Sequence, residues 1–285
     1  MSAPDGVTAV SVERSLLPPG HRQPWRWRSG NWGPAAGIVL ALLGVWEGYV
    51  RLWAVPKWLL PAPSVIAATL VVHWELLWGH TVITFLEVII GFAVSLLCGV
   101  ILACAMAFSR TLERALYPFV IASQTIPIIV IAPLLLIWMG YGLAPKVVVV
   151  ALIGFFPIVV NLVDGLKSVD PDVVNLLRVM GASRWQIFVK VQWPSALPFL
   201  FSGTRVAMAV SVIGAVIGEW MGSSRGLGYL MIRSKPQFLT ERVFAAIVVL
   251  SAMGVALFVL VGVFERLAIP WWHNEQRQRA VQQEG

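Results

Sequence analysis

Long apolar segments recur along the chain, separated by short polar stretches. A helix needs about 20 mostly apolar residues to cross a bilayer, because each backbone amide there must find its hydrogen bond within its own segment. The three clearest segments run without a charge for 22 residues between Glu87 and Arg110, for 31 residues between Arg114 and Lys146, and for 22 residues between Arg242 and Glu265. The pattern predicts an all-α, polytopic membrane protein with six spans near residues 34–50, 81–108, 119–138, 147–163, 199–221 and 243–264.

These spans divide the chain into four parts. Residues 1–33 form a predicted N-terminal tail, and residues 34–80 hold the first span and a short interfacial segment outside. Residues 81–265 form a core of five spans, which includes an unusual loop at 168–198. Residues 266–285 form a C-terminal tail.

Composition and charge support this division. The 285 residues are 58% hydrophobic and 12% charged, whereas about a quarter of a soluble domain is charged. The net charge of +7 does not indicate nucleic-acid binding, because the basic residues lie between apolar segments rather than on a soluble face. Of the 21 basic residues, 14 fall on the side that holds the N-terminal tail, which predicts that both termini are cytoplasmic.

The sequence offers little material for chemistry on substrates. Cys98 and Cys104 are the only two cysteines, and four histidines lie outside the spans without metal-ligand spacing. No G-x-x-x-x-G-K-[ST] phosphate loop is present, so the chain cannot hydrolyse ATP by that route. We therefore expect neither a catalytic residue nor a cofactor, and a membrane-embedded enzyme is only a remote alternative.

The loop at 168–198 differs from the other connections because it is amphipathic. Asp170 can cap a helix that starts with Pro171, and Gly181 can end it. Ser183 can then cap a second helix, which we expect Pro194 and Pro198 to close. The apolar positions of the first helix recur every three or four residues, at Val173, Leu176, Leu177 and Met180.

This loop resembles a motif of bacterial ATP-binding cassette importers. In their permease subunits, a Glu-Ala-Ala triplet precedes a glycine by six residues, and an aliphatic residue and an apolar residue with proline follow. The later part of this motif is present, and Asn-Leu-Leu replaces the triplet; the matching positions are Asn175, Leu176, Leu177, Gly181, Val191, Trp193 and Pro194.

The resemblance covers about residues 80–265. The stretches SQTIPIIVIAPLLLIWMGYG and IGEWMGSSRGLGYL are similar to the nitrate, sulfonate and taurine branch of these permeases. Within that branch they look closest to permeases proposed for riboflavin and for the hydroxymethylpyrimidine precursor of thiamine. The resemblance thus implies an importer of a heteroaromatic vitamin or precursor, riboflavin first, with a sulfonate, taurine or nitrate importer as the alternative.

The resemblance also implies a fold and a set of partners. The fold would be that of the type I importer permeases, with a coupling helix in the cytoplasmic loop. The partners would be a dimer of cytosolic ATPases that bind ATP, an extracellular or periplasmic solute-binding protein, and a second permease subunit, which we expect to be an identical copy. The location would be the bacterial inner membrane.

Two sets of site residues follow. The first is the loop that would contact the ATPase, although the same loop could instead be an ordinary helix-turn-helix lying on the bilayer. Its members are Asn175, Leu176, Leu177, Met180, Gly181, Ala182, Arg184, Trp185 and Pro194.

The second set contains polar residues at membrane depth, which are candidates for the translocation pathway: Gln124, Glu87, Asn161 and Glu219. Glu87 could instead pair with a basic residue or lie solvated beside His80, and Glu219 could lie at the outer mouth or in an ion pair. Gln124 and Asn161 could equally bind helices together.

Two further features of the spans bear on packing and on the solute. Gly214 and Gly218 are spaced for the close approach of a neighbouring helix. Arg205 is the only basic residue that we place inside a span, which favours a neutral or weakly charged solute.

Overall fold

A computed structural model describes residues 33–272 of the chain, and this part is built from helices without a strand. The predicted all-α class is confirmed. The two tails fall outside the described residues, except for Gly33 and residues 266–272. The helices are α1 Gly33–Leu52, α2 Pro63–Val72, α3 Trp74–Phe108, α4 Arg110–Ser123, α5 Ile128–Met139, α6 Leu143–Lys167, α7 Pro171–Val179, α8 Arg184–Ile187, α9 Trp193–Gly222, α10 Leu227–Ser234 and α11 Thr240–Ala268.

Five of the described helical stretches are long and apolar enough to cross a membrane. They are α1, α3, α6, the continuous stretch Arg184–Gly222 and α11. The chain divides into two units, residues 1–46 and residues 47–285, and the described residues of the first unit all belong to α1. All the other helices lie in the second unit, which carries the candidate site.

The third predicted span is not one straight helix. Instead of a continuous helix over 119–138, α4 and α5 form a pair bent by 99°. Pro127 precedes α5, and a proline both lacks the N–H that would continue the helix and disfavours a helical conformation at the residue before it. The described residues therefore hold five spans, or six if the bent pair counts as one.

The prediction that Pro194 and Pro198 close the second loop helix is wrong. A π-helix, Phe188–Gln192, joins α8 directly to α9, and Pro194 lies in the first turn of α9. The π-helix shifts the backbone hydrogen bonds by one residue just before the proline, whose missing N–H would interrupt a regular α-helix. The second helix of the loop and the fifth span are consequently one continuous helical stretch, Arg184–Gly222.

Glycines let α6 lie unusually close to α3 and α9. A Cβ atom added at Gly91 of α3 would stand 2.4 Å from Cβ of Val150 on α6. Cβ atoms at Gly214 and Gly218 of α9 would stand 3.1 Å and 3.2 Å from Cα atoms of α6, which confirms the predicted close approach. In a membrane, where apolar burial alone does not draw helices together, such contact between backbones supplies much of the packing energy.

We expect replacement of Gly91 by alanine to destabilise the protein, because the new methyl group would overlap Val150. Overpacking of this kind costs about 1–3 kcal/mol. Gly79, on the same helix, is the matched control, since a Cβ there meets nothing within 4 Å. Thermal unfolding in detergent should show a lower melting temperature for Gly91→Ala and no decrease for Gly79→Ala. Equal melting temperatures would contradict the packing described for α3 and α6.

Candidate functional site

The loop at 168–198, which we call the coupling loop after the role that the resemblance implies, has the helix, glycine turn and helix that the sequence predicts. Oδ1 of Asp170 accepts the N–H of Asp172 at 2.8 Å and so caps α7. Gly181 ends the turn with a φ of +86°, a left-handed conformation that favours glycine. Ser183 and Gln186 then form a reciprocal capping box at the start of α8, with distances of 3.2 Å and 2.8 Å.

Much of the loop's apolar surface is uncovered. No residue of α7 is buried, and Val179, Met180 and Trp185 are 86%, 74% and 63% exposed. Large exposed apolar patches on a folded chain mark surfaces that bind a partner or a membrane. After the role that the resemblance implies for this loop, we call the exposed side chains of Val173, Leu176, Val179, Met180 and Trp185 the coupling surface.

The remaining predicted loop residues differ in exposure and position. Asn175 and Arg184 are exposed, whereas Leu177 and Ala182 are half-buried. Pro194 lies apart from the turn, half-buried in the first turn of α9.

An aromatic cluster fastens the loop to the end of α3. The ring of Phe108 lies 4.6 Å from that of Phe188 and stacks on Trp185 at 6.0 Å. Trp193, at the start of α9, lies 6.0 Å from Phe188. Sequence reasoning missed Phe108 and Phe188, although aromatic residues at the end of an apolar segment and at helical spacing in the loop were the available signal.

A second set of residues forms a buried ion pair between α3 and α6. Nζ of Lys146 lies 2.6 Å from Oε1 of Glu87 and donates to Oγ of Ser223 at 2.7 Å. Glu87 is only 1% exposed, so it is paired rather than solvated beside His80. Lys146 also corrects the expectation that Arg205 is the only basic residue inside a span, because α6 begins at Leu143, earlier than predicted.

Glu219, also 1% exposed, holds the turn between α9 and α10. Its carboxylate accepts hydrogen bonds from Oγ1 of Thr84 at 2.6 Å and from the N–H of Gly228 at 2.5 Å. It therefore acts as a cap for the free amides at the start of α10. Among the ion pairs of residues 33–272, none includes Glu219. We call Thr84, Glu87, Lys146, Glu219 and Ser223 the buried polar cluster.

The four pathway candidates do not form one site. Glu87 and Glu219 lie in the buried polar cluster, whereas Asn161 lies 15 residues beyond Lys146 on α6, about 22 Å along the helix. Its side-chain amide donates to the carbonyl of Pro157 at 2.7 Å, a local contact within one turn. Gln124 is exposed at the bend between α4 and α5.

Comparison with known proteins gives one family for most of the chain. Residues 95–269 match the family described as the binding-protein-dependent transport system inner membrane component.

Three relatives illustrate the range of similarity. The chain is 40% identical to the formylaminopyrimidine transport permease protein of Halalkalibacterium halodurans, over 82% of this chain and 94% of the relative. It is 38% identical to the riboflavin transport system permease protein of Chloroflexus aurantiacus, over 84% and 91%. It is 29% identical to a putative aliphatic sulfonates transport permease protein of Bacillus subtilis, over 88% and 91%.

A solved structure resembles this fold. The crystal structure of an amino acid ABC transporter with histidines superposes with a TM-score of 0.54 at 18% identity, over 70% of this chain and 97% of the other.

We expect Lys146→Met to destabilise the protein strongly, because Glu87 would remain buried without its partner. Breaking a buried ion pair costs about 3–5 kcal/mol. Lys167→Met is the matched control on the same helix, since the Lys167 pair with Glu113 is half-exposed and such pairs contribute about 1 kcal/mol or less. In detergent, the melting temperature should fall much further for Lys146→Met than for Lys167→Met. If both variants melt alike, the Glu87 pair is not the contact that holds α3 to α6.

Proposed function

Because the chain belongs to the family of inner membrane components of binding-protein-dependent transport systems, we propose that it is the permease of an ATP-driven importer for a small heteroaromatic vitamin or vitamin precursor. Family membership rests on a match to more than half of the chain. Permease subunits of this family are not enzymes themselves, so ATP hydrolysis belongs to a partner chain. The predicted importer family is confirmed, and the likeness to the amino acid transporter confirms the type I fold.

The difference in identity among the relatives carries the proposal of the solute. Relatives named for formylaminopyrimidine and riboflavin transport share 40% and 38% of aligned residues with this chain, and one named for sulfonates shares 29%. Both of the first two solutes are flat nitrogen heterocycles. The proposed solute is therefore riboflavin or a pyrimidine precursor of thiamine.

The charges of the spans also support a neutral or weakly charged solute over a small anion. Lys146 and Arg205 are the basic residues that matter here, and each is paired with a carboxylate, Glu87 at 2.6 Å and Glu265 at 2.5 Å. A pathway for taurine, sulfonates or nitrate would gain from unpaired positive charge. An importer of sulfonates, taurine or nitrate is the second candidate, and only the resemblance to that branch of permeases supports it.

The coupling surface is proposed as the contact with the ATPase. Its exposed apolar side chains suit insertion into a groove of that partner, and Gly181 lets the chain turn sharply beside them. Because α8 continues into α9 and Phe188 packs on Phe108, displacement of the loop would move α9 and α3 together. ATP-driven closure of the two ATPases would in this way change which side of the membrane the spans open to.

The remaining partners and the orientation complete the proposal. The chain would work with a solute-binding protein and a second permease copy in the bacterial inner membrane, with both termini on the cytoplasmic side. Gln124, exposed at the bend between α4 and α5, is proposed to line the translocation pathway, and Asn161 is a weaker candidate because its amide is occupied locally.

We expect riboflavin or a pyrimidine precursor of thiamine to co-purify with the transporter and its binding protein. The test is purification of the tagged chain from its native membrane with its binding protein, followed by mass spectrometry of the released small molecules. An unrelated tagged membrane protein from the same cells supplies the background. A sulfonate or taurine above that background would contradict the proposed solute while leaving the transport mechanism intact.

We expect Gly181→Val to weaken the ATPase contact about tenfold, because a left-handed backbone costs a side chain about 1–2 kcal/mol and the turn would shift to relieve it. Gly140→Val is the matched control, since Gly140 also has a positive φ, of +77°, with open space around it, but lies between α5 and α6. Co-purified ATPase and solute uptake should fall for Gly181→Val at normal membrane levels of the protein. A similar loss for both variants would show that the effect is not specific to the coupling surface.

A further inference from the structure

A polar cleft of about 520 Å³ separates the coupling loop from the end of α3. Phe108 and Ile187 contribute its apolar part, and three arginines contribute most of its charge. Arg110 comes from the first turn of α4, Arg178 from α7 and Arg184 from α8. Residues far apart in the sequence thus bring three guanidinium groups to one cleft.

These three arginines have no acidic partner among the ion pairs of residues 33–272. Of the nearest acidic residues along the chain, Glu113 pairs with Lys167 at 2.5 Å and Asp170 caps α7. Asp172, in the first turn of α7, forms no ion pair within residues 33–272. Like charges that line one cleft repel each other, and an anion bound between them relieves that repulsion. The cleft is therefore suited to a negatively charged ligand.

The cleft is distinct from the coupling surface. Val174 and Arg178, one turn apart on α7, line the cleft. Leu176 and Met180 do not line it and are exposed. A ligand in the cleft would therefore lie between the loop and the spans, leaving the coupling surface free for a protein partner.

The position of the cleft favours one source for that anion. Arg110 follows Phe108 by two residues, and Phe108 ends α3, which carries no charge after Glu87. The end of a spanning segment lies near the level of lipid headgroups, where basic pockets bind anionic lipids. Arginine suits a phosphate especially well, because its planar fork can donate two parallel hydrogen bonds to the phosphate oxygens.

We infer that this cleft binds the phosphate of an anionic phospholipid headgroup. The bound headgroup would join α4, α7 and α8 through one phosphate and so fix the coupling loop against the membrane surface. This inference goes beyond the proposed function and holds for any transported solute.

The experiment titrates the purified full-length chain with phosphatidylglycerol or phosphatidylcholine and counts the bound lipids by native mass spectrometry. The test variant carries Arg110→Gln, Arg178→Gln and Arg184→Gln together. A second variant replaces the same three residues with lysine, which keeps the charge but loses the bidentate geometry. Arg114→Gln is the matched control, because Arg114 is exposed on α4 but does not line the cleft.

We expect the chain to bind phosphatidylglycerol more tightly than phosphatidylcholine, and the triple glutamine variant to weaken that preference by at least about tenfold. The lysine variant should lie between the wild type and the glutamine variant, and Arg114→Gln should match the wild type. Inorganic phosphate, added as a competitor, should displace the lipid only weakly.

Three results would overturn the inference. The first is equal binding of the two lipids by the wild type, and the second is an unchanged preference in the triple glutamine variant. The third is tight binding of inorganic phosphate that the triple variant loses, without any preference for phosphatidylglycerol, which would assign the cleft to a free anion. A triple glutamine variant that keeps the monodisperse size and melting temperature of the wild type excludes misfolding as the cause of a loss.

Discussion

The close approach of α6 to α3 on one side and to α9 on the other is the contact on which the rest of the structure depends. Gly91, Gly214 and Gly218 remove the side chains that would hold these helices apart. Because the helices lie so close together, the side chain of Lys146 contacts both Glu87 on α3 and Ser223 just after α9. The buried polar cluster is therefore a product of the packing, and it also fixes the register in which the helices pack.

The core formed by α3, α6 and α9 is attached to neighbouring segments at both of its ends. These two attachments explain how a displacement of the coupling loop would be transmitted across the protein. At one end, Glu219 and Thr84 fasten the turn into α10. At the other end, Phe108 and Phe188 fasten the coupling loop, and the π-helix makes α8 of that loop continuous with α9. A displacement of the loop would thus reach the far end of α9 through packed helices rather than through flexible connections.

Much of the fold could be predicted from the sequence, because long uncharged segments and helix caps are local signals. Such signals predict the helix caps of the coupling loop at Asp170 and Ser183 and the turn at Gly181, and all three are confirmed. The 99° bend between α4 and α5 could not be predicted from such signals. Pro127 marks its position in the sequence, but a proline can either kink a span or break it.

Contacts between distant residues could not be predicted in the same way. The partner of Glu87 is 59 residues away, and the donor Thr84 lies 135 residues from Glu219. The predicted fourth span begins at residue 147 and so excludes Lys146, because its apolar segment is bounded by that charged residue. Tertiary packing, rather than local pattern, decides whether such a charge is buried.

The central claim is that the coupling loop receives an ATPase. Crosslinking from a cysteine at Ala182 tests it most directly, in a chain whose Cys98 and Cys104 are replaced by alanine and in its native membrane. The account predicts a covalent adduct with an ATP-binding protein, identified by mass spectrometry, and a change in its yield when ATP is added. An Ala182 cysteine that forms no protein adduct, or forms adducts unrelated to any ATPase, would contradict it.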